Sequence, residues 1–238
     1  MSYFTYNNIS SETMGIKIIS MPPPSRAEQV TETLTIPGRA EPLLYRHPEY
    51  LPTEHEIEFA MLYNTDTIRS VYSWLTGIGN FVRSDESDKY YVANVCPIIE
   101  ATRISDDIFT MVIKIMCQPF AYSVNNSILT IDNPPSSITV GGSVYSEPLL
   151  KIIMATGSSA SILNLYVNSE SFTITGLLAD SVVYVDTAKR VAYQGINIIT
   201  NKTTGKFPIF EVGANTISWQ GILCSVSKIE VTKNERWL

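Results

Sequence analysis

EHEIEFAM, residues 54–61, alternates with a period of two. His55, Ile57, Phe59 and Met61 point one way along an extended chain, and Glu54, Glu56 and Glu58 point the other. The stretch predicts a strand with an apolar core face and an acidic outer face. IFTMVIKIMC (108–117) repeats the pattern, with Phe109, Met111, Ile113, Ile115 and Cys117 on one side and Thr110 and Lys114 opposite. Between the two runs, SDESD (84–88) and SDD (105–107) are polar turn signals. KYYVANVCPII (89–99) then sits between two turns of a meander, and Pro97 points to an edge position or a bulge.

Upstream, VTETLTI (30–36) places Val30, Glu32, Leu34 and Ile36 on one face and threonines on the other, a pattern suited to a half-buried strand. It runs into Ile36-Pro37-Gly38-Arg39. Pro at the second position and Gly at the third is the arrangement of a type II turn, because Gly accepts the positive φ that a side chain opposes. An anion-binding loop needs several successive free N–H groups, and Pro37 removes one. The turn is therefore expected to end the strand, send the chain toward Leu43 and Leu44, and present Arg39 beside the bend.

One segment breaks the two-residue period. NTDTIRSVYSWLTG (64–77) spaces Ile68, Val71, Tyr72 and Leu75 as one helical face. Asn64 or Asp66 is placed to cap its first turn, and Gly77 to take the left-handed position just past its end. From residue 127 the texture changes to short strands separated by turns rich in Ser, Thr and Asn, as in a sandwich. These are 128–132, 149–155, 162–167, 171–176, 181–186, 190–194, 215–219 and 227–231. A boundary falls near 123–127, dividing the chain into two β-rich domains.

The 238 residues are 45% apolar and 17% charged, enough to bury a core in each part. A net charge of −6 argues against a basic grip on nucleic acid. Cys96, Cys117 and Cys224 are scattered and odd in number, which reads as small buried side chains rather than a disulfide framework or zinc knuckle. MSYFTYNNISSETMG lacks a basic region followed by an apolar block, so no signal peptide is expected. No apolar run reaches the ~20 residues that span a bilayer.

Catalytic patterns are missing. His47 and His55 are the two histidines, and HPEYLPTEHE (47–56) lacks the helical H-E-x-x-H spacing of a metal site. TGSSAS (156–161) reads as a hairpin connection and not as a nucleophile elbow. Asp132 and Asp186 each close a strand, where Asp begins turns. No Walker A sequence or G-x-G-x-x-G occurs. Tyr166, Phe172, Tyr184, Tyr193 and Trp219 alternate with apolar neighbours, so burial is their expected fate. The expectation is a non-enzymatic protein with no catalytic, cofactor-binding or metal-binding residues.

Several segments, in order, resemble the distal tail protein (Dit) family of long-tailed phages, a siphophage tail component. They are FTYNNISSETMGIKI (4–18), MPPPSRAEQVTETLTIPGR (21–39), SWLTGIGNFVRSDESDKYY (73–91), QPFAYS (118–123), IDNPPS (131–136), SEPLLKI (146–152), GKFPIFEVGANTIS (205–218) and the terminal RWL. After Ile-Pro-Gly-Arg the family usually continues with Asp-Gly, where this chain has Ala40-Glu41-Pro42.

The resemblance implies a mainly β protein. Residues 1–125 would be an N-terminal β-sandwich with one α-helix and an extended β-hairpin, forming a ring. Residues 126–238 would be a galectin-like β-sandwich at the periphery, with the last residues free to pack back on the first domain. The implied assembly is a homohexameric ring, single or stacked in two, at the hub of the tail tip or baseplate. Its implied partners are the major tail tube protein, the tail-associated (baseplate hub) protein and a receptor-binding protein, with DNA passing through unbound and no membrane contact. It would belong to the virion and assemble in the bacterial host cytoplasm. On this reading Pro37, Gly38 and Arg39 lie at a subunit interface. Two alternatives remain: a carbohydrate-binding module stacking glycans on Tyr166 and Trp219, and the equivalent hub of a contractile tail or phage-derived bacteriocin.

Overall fold

Strand Ile108–Ser123 is the longest element of the chain's first part, and the sheet is built around it. In the computed structural model, which describes residues 2–95 and 100–238, it pairs antiparallel with Thr53–Leu62 over ten consecutive positions, from Ile108↔Leu62 to Cys117↔Thr53. Its other edge carries Glu100–Arg103 and then Lys89–Val95, with a register shift between Cys117 and Ala121. Beyond Lys89–Val95 come Ile78–Arg83, Phe4–Tyr6 and Ile9–Ser10; beyond Thr53–Leu62 comes Lys17–Ser20. The chain is mainly β and divides into two units, Met1–Val124 with Leu238, and Asn125–Trp237.

The two alternating stretches behave as read. Ile57, Phe59 and Met61 are buried on one strand, and Phe109, Met111, Ile113, Ile115 and Cys117 on its neighbour. Glu54 and Glu56 are exposed and Glu58 is half-buried on the outer face. Each large apolar side chain removed from water contributes about 1.5–3 kcal/mol. A one-residue slip would exchange that face for the glutamates, so the register is strongly specified. SDESD joins the paired strands Ile78–Arg83 and Lys89–Val95 through a short 3-10 turn, and SDD joins Glu100–Arg103 to Ile108–Ser123. The readings of Cys96 and Pro97 fall outside the described residues.

The helix spans Thr65–Trp74. Asn64 Oδ1 accepts from the backbone N–H of Asp66 at 2.9 Å and of Thr67 at 3.4 Å, which settles the cap on Asn64. Its inward face differs from the one read from spacing: Val71 and Trp74 are buried, Ile68 and Leu75 are half-buried, and Tyr72 is exposed. Trp74 takes the inner position because Phe4 stacks on it at 5.5 Å and its Nε1 donates to Tyr6 O at 2.9 Å. Leu75 already leaves the helix, so Gly77, with φ of +78°, stands one residue later than expected.

The second unit holds two sheets around one core. One runs Ile128–Ile131, Ser225–Thr232, Leu149–Thr156, Val182–Asp186, Val191–Gln194, Asn197–Ile198. The other runs Ser136–Val140, Gly213–Ile222, Ile162–Val167, Glu170–Thr175, Thr203–Gly205. Leu150, Ile152 and Val183 from the first meet Leu163, Phe172 and Ile217 from the second in the core. All eight strands read from this half are present within a few residues of their expected ends. The sequence reading missed Ser136–Val140, although Ile138 and Val140 are buried on one face of it, and the segments 197–198 and 203–205, which are too short to show a period.

Candidate functional site

Gln29–Leu34 and Leu43–Tyr50 pair only with each other among the described residues, as a two-stranded ribbon. At its tip Arg39 N–H donates to Ile36 O at 3.1 Å and Gly38 has φ of +85°, the type II geometry read from Pro37 and Gly38. Nothing lies within 4 Å of a Cβ built on Gly38, so the glycine is required by conformation and not by space. Arg39 is exposed beside the turn.

The strand is not half-buried, as its alternation implied. It stops at Leu34, register shifts between Gln29 and Thr31, and the pairs Leu34↔Leu43 and Thr33↔Leu44 leave side chains on both faces in solvent. Leu34 and Leu43 are 41% and 40% exposed, Ile36 44%, Tyr45 51% and Leu44 67%. Period two reports that a strand has two faces, and a ribbon with no sheet beneath it buries neither. Two strands alone are marginal in water, and this pair leaves a cluster of apolar side chains exposed.

The ribbon's root is held by other means. Ala27 is buried, Leu51 N–H donates to Glu28 O at 2.8 Å, and Tyr50 meets Phe120 edge-on at 5.3 Å. The remaining anchor starts at Arg83, whose side chain is fully buried at the end of its strand. A charge removed from water must be paired and hydrogen-bonded. Arg83 grips Asp85 bidentately, Nε to Oδ1 at 2.9 Å and Nη2 to Oδ2 at 2.7 Å. Nη2 also donates to the Pro22 carbonyl at 2.7 Å, and Nη1 faces His55 Nδ1 at 3.4 Å.

Since a guanidinium only donates, His55 Nδ1 accepts and the ring proton resides on Nε2. Burial, reinforced by Arg83, lowers the His55 pKa to about 4. The Arg83 hydrogen bond holds the Asp85 carboxyl below its ordinary value. Burial pushes the Cys117 thiol up to about 12, which leaves it inert as a nucleophile. His47 lies on the ribbon, 3.3 Å from Glu32 and edge-on to Tyr45, so the two histidines of HPEYLPTEHE occupy different surroundings. Among the described residues no group of three or more His, Cys, Asp or Glu is arranged to hold a metal ion. No helix there is long and apolar enough to cross a membrane.

In the second unit the aromatic residues separate. Only Phe172 of the five is fully buried. Trp219 stands opposite Leu165 and packs half-buried against the core, whereas Tyr166 is half-buried on the alternate face. Tyr184 and Tyr193 stack on one another at 5.0 Å and 13°, on strand positions that alternate with buried Val183, Val185 and Ala192. Their expected burial is corrected: cross-strand stacking covers one face of each ring where the core does not. TGSSAS is corrected too. It carries the chain from Leu149–Thr156 to Ile162–Val167, strands of different sheets, and is not a hairpin. Ser161 Oγ donates to Leu177 O at 2.8 Å and accepts from Leu177 N–H at 2.6 Å, which ties down the crossover. Asp186 ends its strand and accepts from Lys189 N–H at 3.1 Å, the turn-starting role expected of it.

No family model matches the chain, and neither does any curated protein. Among solved structures, the chain is similar to the SPP1 Dit protein, described as a paradigm of the hub adsorption apparatus in phages infecting Gram-positive bacteria. That match has a TM-score of 0.75 at 12% identity and covers 100% of both chains. Structures of the phage p2 baseplate in its activated conformation, with Sr and with Ca, match with a TM-score of 0.49 at 7% identity over 97% of both chains. The chain has the Dit fold over its full length.

Proposed function

We propose that the chain is a structural virion protein, the hub of a phage tail tip. The observation that carries this reading is the end-to-end match to the SPP1 Dit fold, both units included. In this reading the first unit builds a homohexameric ring between the tail tube and the tail-associated protein. The second unit is a galectin-like sandwich that offers attachment to receptor-binding components. The ribbon serves as the arm between neighbours, with Pro37 and Gly38 shaping its tip and Arg39 presented there.

Physical grounds support the ring. A closed ring needs a heterologous interface, in which one surface of a subunit meets a different surface of the next. A ribbon with Leu34, Ile36, Leu43 and Leu44 left exposed among the described residues offers such a surface. A net charge of −6 suits a channel that DNA traverses without adhering.

Native mass spectrometry at high protein concentration, together with electron microscopy of tail-tip assemblies, tests the proposal. A six-subunit ring is expected at the junction of tube and tip. A strict monomer that also fails to join those assemblies would overturn it. Arg39→Ala should weaken ring formation without unfolding the chain; normal assembly would remove Arg39 from the interface.

A further inference from the structure

MPPPS (21–25) links the edge strand Lys17–Ser20 to the ribbon. Pro22, Pro23 and Pro24 have no N–H, so within that run the backbone can be anchored only through carbonyls. The Pro22 carbonyl is taken by Arg83, 61 residues away in sequence. Asp85 needs no such partner to be stable, since it is half-exposed and open to water. Arg83 is the group that water does not reach, and an apolar side chain would fill its site at lower cost.

We propose that Arg83 is a positioning residue that fixes the root of the ribbon, holding the proline-rich link through Pro22 while Asp85 and His55 orient its guanidinium. The two Nη2 hydrogens divide between Asp85 Oδ2 and Pro22 O, so the fork that binds the carboxylate also aims the donor at the link. His55 completes the arrangement as a neutral acceptor at Nη1. A lysine ammonium at this position lacks the planar fork and cannot reproduce these directions together. The consequence for assembly rests on the reading of the ribbon as an intersubunit arm. The anchoring of the root by Arg83 is independent of that reading.

Hydrogen exchange by mass spectrometry on the full chain tests the root directly. In Arg83→Lys, amides of 25–34 and 43–50 should exchange about tenfold faster, while those of 109–117 keep their protection. Equal acceleration everywhere, or none in the ribbon, overturns the proposal. Should Arg83→Lys fail to fold, Asp85→Asn at the half-exposed position carries the test. It should accelerate the same segments about threefold, and Asp85→Glu should restore protection. A uniform or absent response there overturns the proposal equally. If the ribbon loosens and rings still form normally, the root assignment stands and the ribbon's role as the arm fails.

Discussion

The Arg83 guanidinium and the His55 imidazole face one another at 3.4 Å within the first unit's core, with His55 4% exposed and Arg83 fully buried. The pair is compatible only with a neutral histidine, because protonation at Nδ1 would replace an acceptor by a donor and add a second positive charge.

An acid limb of stability follows. An unfolded histidine takes its proton near pH 6.5, whereas His55 takes it near pH 4. Between those values the unfolded chain binds more protons, so stability falls as pH drops through the window. The full difference is roughly 3 kcal/mol. Asp85 adds a loss in the same direction at lower pH, as its depressed carboxyl becomes protonated. Urea midpoints should be flat above about pH 7 and decline toward pH 4. His55→Asn, which keeps an acceptor near Nδ1 without a titrating ring, should flatten that decline; an unchanged slope would assign it to another group.

Trp74 and Tyr72 stand two residues apart on the helix with opposite fates. Trp74→Ala removes the stack on Phe4 and the bond to Tyr6 O, and should cost about 3–5 kcal/mol. Tyr72→Ala, at an exposed position, should stay within about 0.5 kcal/mol of wild type. Denaturant titration of both variants checks the inward face; equal costs would contradict it.

Ser161 is a structural hydroxyl. Ser161→Ala leaves the Leu177 N–H and carbonyl without their side-chain partner in a buried crossover and should lower stability by about 1–3 kcal/mol. Thermal melts measure the loss. A stable variant would show that the crossover does not depend on this bond.

Leu44, at 67% exposure, contributes little to the monomer's core. Leu44→Asp should leave stability nearly unchanged, within about 0.5 kcal/mol, because Leu44 buries little apolar surface. Placed in a ribbon interface, the same carboxylate would be desolvated without a partner. Rings should therefore be lost from native mass spectra while folded monomer remains. Rings of normal abundance would move the interface away from this side chain.

Much of the fold is legible in local periods. The 54–61 and 108–117 alternations specify two central strands, their faces and, through the cost of burying glutamate, their register. Asn64 or Asp66 marks a helix start, and Pro37 with Gly38 specifies a turn, through backbone chemistry that needs no distant partner. The candidate site is less legible. Nothing near VTETLTI in sequence says that this strand has no sheet beneath it, and nothing near Arg83 announces Pro22. The one local hint is an arginine two residues after Phe81, on the same inward face of the strand.

Near neighbours in the chain suffice for the two long core strands, most strands of the second half, the helix and the tip turn, because each follows from a local period or from backbone chemistry. Contacts between distant segments set the rest: Trp74 and not Tyr72 faces inward, TGSSAS crosses between sheets, the 29–50 ribbon stands with both faces wet, and Arg83 reaches the link at its root. Each depends on residues tens of positions apart meeting in space. A burial pattern states which face of an element is apolar, but the partner that covers that face is chosen by the rest of the chain.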